Sequence, residues 1–423
     1  MYYCYVTQLK NVRPHPNADK LMLADCWDNT VIVSKEYKEC QTVLYFPTDG
    51  VLSEEFCKAN NLLRSQGGYF EDSRRVRTLK LRGSVSDGFA APLSYLEKVV
   101  GAEVVAKLKV GDRFDVLNGV EICKKYTVPA RTPGAPGSKK GKSRNNRGAT
   151  IMFPKHHDTE NINYCMDQIH EGDYLVITSK SHGTSHRCGY VLDDIELPRW
   201  KQWINRLVPV FPTQEYRFLS GTRNVILDRV EQTAWHTKQF RDLVDDQLRE
   251  KLNKNELVFF EVVGYESMDK PIMPRHDAKK LSDKEFIKKY GETITYHYGC
   301  KDGEFKILVY RIAYVNPDGE VIDLPWDDVK KRAEQLGLTT VHEYEKIVLH
   351  SWDDESRKAF VNYLKKLGDR PDPLGGHPQE GVCVRIENRR FNNLRCFKFK
   401  TDHFKIMEGI QKDSGVADLE ESS

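Results

Sequence analysis

Residues 174–185 read Tyr-Leu-Val-Ile-Thr-Ser-Lys-Ser-His-Gly-Thr-Ser, and this stretch decides how the chain is read. Its first half, Tyr174-Leu175-Val176-Ile177, is an apolar run that predicts a strand, and the small residues around Gly183 predict a tight turn. Lys180 therefore closes a strand and can be held facing a phosphate instead of solvent. A lone K-x-x-G is weak, because a chain with 65 Lys and Arg residues contains several by chance. Its weight comes from three later stretches, in order: Phe260-Glu261-Val262-Val263-Gly264, Glu380-Gly381-Val382-Cys383-Val384-Arg385 and Phe397-Lys398-Phe399-Lys400.

Each stretch supplies one part of a phosphate chemistry. An amine attacks a phosphoryl centre only when it is neutral, and neighbouring cations or a metal ion favour that form. In Phe397-Lys398-Phe399-Lys400 the two-residue period places both phenylalanines on one face and both lysines on the other. The lysines leave the backbone about 6.5–7 Å apart, a spacing that suits neighbouring phosphates of a nucleoside triphosphate. Read singly, this run is an amphipathic edge strand with solvated lysines. Glu380 and Glu261 are hard oxygen ligands of the kind a phosphate-bound divalent cation takes. Glu261 also interrupts an apolar run, where a carboxylate needs a partner; a salt bridge across the sheet is the plainer account of either residue. No G-x-x-x-x-G-K-[ST] occurs, so this is not a P-loop. His182 is expected to pack the turn.

The 423 residues predict two or more domains. With 39% hydrophobic and 30% charged residues the composition is that of a soluble globular protein. The net charge of +3 means that any nucleic-acid surface must come from local clustering. Ten cysteines without a C-x-x-C pair argue against a zinc ribbon or a disulfide scaffold, and for reduced thiols. The scattered histidines and cysteines have no metal-ligand spacing. No apolar run is long enough to span a membrane, and the N-terminus lacks the basic start and apolar core of a secretion signal. An intracellular, cytoplasmic monomer is the expectation.

Residues 127–150 are rich in Pro, Gly and Ser and carry six basic residues and no acid. They read as a linker, either a solvated connector or a basic strap whose Lys139, Lys140, Lys142 and Arg144 touch a phosphate backbone. The class expected is α+β. In residues 1–126, short strands at Tyr3–Val12, Leu21–Ala24, Thr30–Val33, Thr42–Phe46 and Thr78–Leu81 suit a small closed β-barrel, the OB-fold. Residues 151–411 mix α and β with antiparallel sheets. Thr233–Asn253 and Trp326–Leu336 have helical periodicity, while Leu257–Val263, Phe305–Val315, Gly381–Ile386 and Arg395–Lys400 read as strands. Residues 412–423 are a polar, acidic tail expected to be disordered.

The order of lysine, glutamate, glutamate and Lys-x-Lys resembles the covalent nucleotidyltransferase superfamily of ATP-dependent ligases and mRNA capping enzymes. Lys180–Gly183 looks like motif I, Glu261 like motif III, Glu380–Arg385 like motif IV and Phe397–Lys400 like motif V. Ile307–Tyr314 resembles motif IIIa, in which an aromatic ring stacks on the base. Lys180-Ser181-His182-Gly183-Thr184-Ser185 is similar to RNA ligases, whereas DNA ligases and capping enzymes have K-x-D-G. His15-Pro16-Asn17-Ala18-Asp19-Lys20-Leu21 and Leu81-Arg82-Gly83-Ser84-Val85-Ser86-Asp87-Gly88 are similar to OB-fold tRNA-binding modules. An N-terminal OB-fold before a ligase domain is the arrangement of Deinococcus/Naegleria-type RNA ligases. Only 23 residues follow Lys400, so the C-terminal OB-fold of DNA ligases and capping enzymes is not expected.

The resemblance implies that Lys180 attacks the α-phosphorus of ATP to give lysine–AMP. AMP would then pass to an RNA 5′-phosphate, and an RNA 3′-OH would displace it. Lys398 and Lys400 would grip the α-phosphate and the leaving pyrophosphate. Glu380, with Glu261, would hold Mg²⁺ or Mn²⁺ or its waters, and Glu261 is an alternative ribose contact. Glu160 is placed where the family recognises adenine, Gly183 in the nucleotide-binding turn, and Tyr310, in preference to Tyr314, as the stacking ring. Arg223 is a candidate for ribose or RNA phosphate, and Arg187 for RNA phosphate. An acidic residue present before the lysine in some RNA ligases is Ser179 here. The alternatives are a GTP-using capping-type transferase and an inactive RNA-binding protein.

Overall fold

A computed structural model describes residues 2–126, 149–156, 159–223, 226–227, 238–388 and 394–413, without the side chains of 238–240 and 411–413. Lys139, Lys140, Lys142 and Arg144 and the acidic tail lie outside the described residues.

The strand that ends in the lysine, Tyr174–Lys180, is buried along nearly its whole length because both of its faces are covered. Leu175 and Ile177 face Phe360, Leu364 and Leu367 of the helix Asp354–Gly368, while Val176 joins the core on the opposite side. That helix is set by its ends. The Asp353 carboxylate accepts from Ser356 N, acids fill the first turn, and Lys365 and Lys366 fill the last. Tyr174–Lys180 sits fourth in a five-stranded sheet ordered Glu160–Asn161, Arg395–Lys400, Gly381–Ile386, Tyr174–Lys180 and Glu343–Val348.

Beyond the turn at 181–183 the chain enters a second sheet. Its main path runs Gln214–Thr222, Thr184–Asp194, Glu256–Ser267, Phe305–Val315, Val321–Asp323, and these neighbours are antiparallel. Helix Trp326–Leu336 lies over it and buries Trp326, Val329, Ala333 and Leu336, the stripe expected of a 3.6-residue period. Val176, Val258, Phe260, Val262, Leu308 and Ile312 share one core. Lys180 and Thr184 thus stand where the two sheets meet. Within Thr233–Asn253 the described helix is Lys238–Asp246.

The N-terminal half departs from a closed five-strand barrel. The predicted strand Tyr3–Val12 divides at Leu9 into Cys4–Gln8 and Lys10–Pro14, which join different sheets. Leu9 exchanges backbone hydrogen bonds with Cys40 and Gln41, and a bulge with Asn11 at φ 55° bends the chain beyond it. Cys4–Gln8 lies between Thr42–Phe46 and Arg113–Phe114, whereas among the described residues Thr78–Leu81 pairs only with Ser84–Asp87. Where one more ladder would close the sheet, Ile32 N donates to the Ser86 hydroxyl instead, so no closed barrel forms among the described residues. The two motif stretches of this half pack on each other. His15 Nε2 lies 3.2 Å from Leu81 O and Asn17 Nδ2 donates to Arg82 O at 2.9 Å.

The halves are joined by ring and charge contacts. Tyr164 of the C-terminal half inserts among Tyr5, Trp27 and Tyr45, with ring centroids 5.8–6.5 Å away. Asn163 Nδ2 donates to Asn29 Oδ1 at 2.9 Å, and Lys405 of the last helix, Asp402–Asp413, reaches Asp87 at 2.5 Å.

Candidate active site

Strand register assembles the site. Lys180 is opposite Gly381, and Gly381 is opposite Lys400. Residues opposite each other in a sheet present side chains to the same face, so the glycine leaves a gap flanked by two lysines. No side chain fits there, since a Cβ at Gly381 would lie 1.9 Å from Phe399 O. Glu380, the preceding residue, is fully buried and receives both ammoniums. Lys180 Nζ is 2.7 Å and Lys400 Nζ 3.3 Å from its Oε1. Thr401 N donates to Glu380 O and the Thr401 hydroxyl to Gln379 O, which holds this segment at the end of its strand. One step along, Thr178, Cys383, Lys398 and Asn161 form the next row.

The second sheet supplies the opposite side. Glu261 is opposite Ser185, and the Tyr310 hydroxyl lies 3.3 Å from Ser185 Oγ. Burial, followed by the Glu261 charge, pushes the Tyr310 phenol well up, so it stays neutral. The Tyr310 ring meets that of His156 with centroids 5.4 Å apart. Tyr314, the other candidate, turns away, its hydroxyl accepting from Asn253 Nδ2. These groups open onto a cavity of about 930 Å³ that both halves of the chain line. Lys180, Lys398 and Lys400 are on its wall, as are Glu261, Tyr310, Glu160 and Arg223. Tyr3, Tyr5, Trp27 and Arg113 of the N-terminal half line it as well.

Comparison with known proteins identifies the family and the fold. Residues 173–400, more than half of the chain, match the RNA ligase family model. The chain belongs to the RNA ligase family. Residues 3–93 match an OB-fold domain model. Among solved structures, Naegleria gruberi RNA ligase with PPi is similar at TM-score 0.57 and 16% identity, over 95% of this chain and 97% of that one. A mutant of the same Naegleria ligase with ATP and Mn gives TM-score 0.59 at 16% identity, over 95% and 98%. These likenesses show a shared fold. No curated protein matches.

Three expected residues of this RNA ligase sit differently from their sequence reading. Glu380 lies beneath the lysines and reaches the cavity only through them. Gly183 packs the turn. A Cβ there would lie 2.6 Å from Val262 O, so the residue admits the neighbouring strand. Arg187 does not offer its charge to a surface phosphate. It is 1% exposed, donates to Pro154 O and lies over the Phe153 ring at 4.7 Å, and burial lowers its guanidinium to about 10. The two-residue period puts Arg187 and Ser185 on one face, and the Phe153–Pro154 segment already covers that face at Arg187.

His182 packs as expected. Its ring is 4.8 Å from those of Tyr296 and Phe404, and Nδ1 is 3.9 Å from Glu380 Oε2. Behind the site, His186, Cys188 and Asp245 cluster within 4.8 Å. Arg241 donates to His186 Nδ1 at 3.0 Å, so the ring's proton is on Nε2, directed at Asp245 Oδ1 at 3.0 Å. The lone pair that a metal would need is already taken.

Two site residues carry no assigned role in the sequence reading. Glu408 binds Lys400 Nζ at 3.0 and 3.1 Å from helix Asp402–Asp413. Its signal is an acid in the i, i+3, i+4 set with Phe404 and Met407, a buried helical face where a carboxylate needs a cation. Arg385, buried over the Trp326 ring, donates to Tyr310 O at 2.7 Å and so ties the two sheets together.

Proposed function

We propose that this RNA ligase is ATP-dependent and joins RNA 3′-OH and 5′-phosphate ends through a lysine–AMP intermediate and an adenylylated RNA 5′ end, in RNA repair or nick sealing. The observation that carries this is the convergence of Lys180 and Lys400 on one buried carboxylate at the wall of a cavity large enough for a nucleotide. Lys180 Nζ attacks the α-phosphorus, the bond to the bridging oxygen breaks, and pyrophosphate leaves. Glu380 aims the attacking nitrogen. Lys400 and Lys398, on successive rows of the same face, take phosphate oxygens. When a phosphate enters, Lys400 trades part of its attraction to Glu380 and Glu408 for the new anion.

Tyr310 presents its ring to the adenine, and Glu160 and Arg223 border the base and ribose. Arg385, through Tyr310 O, sets the distance between the stacking ring and the lysine row. The RNA ends enter from the side lined by the N-terminal half. Glu261 is a hard oxygen donor on the cavity wall, which fits Mg²⁺ or Mn²⁺ or its waters. Glu380, beneath Lys180 and Lys400, would join it only where those lysines give way, and the donors of the His186 cluster are already paired. When bound, such an ion neutralises phosphate charge.

Incubation with labelled ATP and a divalent cation, beside Lys180→Ala and with labelled GTP as control, tests the proposal on a denaturing gel. Label from ATP alone, retained by the wild type and absent from the variant, is expected. No label from either nucleotide on folded protein whose intact mass shows no prior AMP removes the reading.

A further inference from the structure

Strands Thr184–Asp194 and Gln214–Thr222 form a long hairpin that does not end in a tight turn. It ends in an arm, residues 195–213, built around helix Arg199–Leu207, none of whose residues is buried. Trp200, Trp203 and Leu207 share one face at i, i+3, i+7, and they are 57%, 63% and 68% exposed. Val208 and Val210 extend this apolar surface.

The arm has its own internal frame. Asn205 Nδ2 donates to Phe211 O at 2.7 Å, and Asn205 Oδ1 accepts from Val210 N and Phe211 N. The Trp200 ring stands edge-on to Phe211 at 5.6 Å, and the Lys201 ammonium lies over both rings. The tryptophans are therefore displayed from an ordered element, and contiguous exposed apolar surface of this kind marks a contact.

Charge identifies the occupant. From Leu197 to Thr213 there is no acid, and Arg199, Lys201 and Arg206 are interleaved with the rings. Aromatic faces between Lys and Arg match single-stranded nucleic acid, whose bases stack while the cations take phosphates. We infer that the arm is a second RNA-binding site, which stacks unpaired bases of the strand flanking the break. This rests on the RNA ligase reading. An 11-residue strand separates the arm from the turn after Lys180, about 33 Å at 3.3 Å per residue. At about 3.4 Å per nucleotide, the rise of a fully stacked strand, the arm meets RNA no more than about 10 nucleotides from the break, and fewer where the strand is extended. The substrates it favours are broken RNAs whose flank is unpaired at that distance.

The test uses the full chain and two nicked RNAs, with unpaired flanks of about 2 and about 15 nucleotides, chosen to fall short of and beyond that reach even when the flank is extended. Wild type is compared with Trp200→Ser/Trp203→Ser and with Arg199→Gln/Lys201→Gln/Arg206→Gln. Affinity is read over a salt series, and lysine adenylylation is read in parallel as the check on folding. For the tryptophan variant, binding of the long-flank RNA should weaken about 5- to 150-fold, with short-flank binding and adenylylation unchanged. The charge variant should flatten the logarithmic salt slope for the long-flank RNA by about 2. Equal binding of both RNAs by wild type and variants overturns the inference, and so does a change of oligomeric state without a change in RNA affinity, which assigns the face to a second copy. If wild type forms no lysine–AMP, the activity reading fails while the arm is still judged on affinity.

Discussion

Two buried lysine–carboxylate clusters flank the last helix and use the same groups to opposite ends. At the cavity, Lys180 and Lys400 share one oxygen of Glu380, so each lysine's hold on it is contested. Between the halves, Lys405 has two acids, Asp87 at 2.5 Å and Asp402 at 3.1 Å. Burial works against the Lys405 charge, yet Asp87 and Asp402 outweigh it and raise the ammonium well above its usual range. Burial likewise opposes the Asp402 charge, but Lys405 and Lys365 hold that carboxyl well below the ordinary range. Lys405, with two carboxylates, is locked as a cation, and Lys400 likewise has both Glu380 and Glu408. Lys180 instead shares its Glu380 oxygen with Lys400, so an entering phosphate can take over part of that contact. A shared carboxylate oxygen thus distinguishes the nucleophile from the strut.

The largest effect expected is at the contested lysine. Lys180→Arg keeps a cation against Glu380 but removes a nitrogen that can become neutral. Lysine–AMP should vanish from a labelled-ATP gel, while the melting temperature stays within about 1 °C of wild type, the shift that about 1 kcal/mol produces in a chain of this size at about 2.1 cal/mol/K per residue. A labelled variant would mean that another residue carries the AMP. Next in size is Lys405→Met, which leaves Asp87 and Asp402 buried and uncompensated. It should cost about 3–5 kcal/mol in denaturant unfolding, with Asp87→Asn added to recover part of the loss. Equal destabilisation by Lys180→Met and Lys405→Met would erase the distinction between the two clusters.

A third buried network is neutral at its centre and responds to pH. Burial is the main cause that lowers the His186 imidazole, and Arg241 donating into Nδ1 leaves no site for a second proton. The folded-state pKa is therefore below the unfolded value of about 6.5, and the unfolded chain takes up the proton first as pH falls. The contribution is fully present above that value and is lost as pH falls toward the folded pKa. Unfolding midpoints measured from pH 8 down to pH 5 should decline for the wild type and flatten in this window for His186→Asn. Parallel profiles would show that another group titrates.

Much of the catalytic half is legible in the chain because its signals are local. Phe305–Val315, Gly381–Ile386 and Arg395–Lys400 are bounded as their alternation predicts, and Trp326–Leu336 as its helical period predicts. Register is not local. Nothing in the Lys180 segment says that it faces Gly381, or that Gly381 faces Lys400, and that row creates the shared carboxylate. Arg187 reads in sequence as a phosphate contact because it is a cation beside a motif, and only the fold brings in the Phe153–Pro154 segment that buries it. In the N-terminal half the OB-fold match over residues 3–93 agrees with the sequence reading, and what the sequence hides is the missing closure: the break at Leu9 depends on long-range hydrogen bonds with Cys40 and Gln41.

The smallest effect expected separates ring from hydroxyl at Tyr310. Its hydroxyl makes one long contact, 3.3 Å to Ser185, and a bond of that kind contributes about 0.5–1 kcal/mol. Its ring lines the cavity between Glu261 and His156, where a base would stack for about 1–3 kcal/mol. Tyr310→Phe should therefore shift the ATP concentration for half-maximal adenylylation by less than about 5-fold, and Tyr310→Leu by about 10-fold or more. The main-chain bond from Arg385 to Tyr310 O survives both substitutions, so the link between the sheets stays intact. If Phe and Leu cost the same, the lost hydroxyl accounts for the effect, and the adenine stacks elsewhere. A wild-type-like Leu variant would leave the ring with packing alone and place base recognition at the Glu160 end of the cavity.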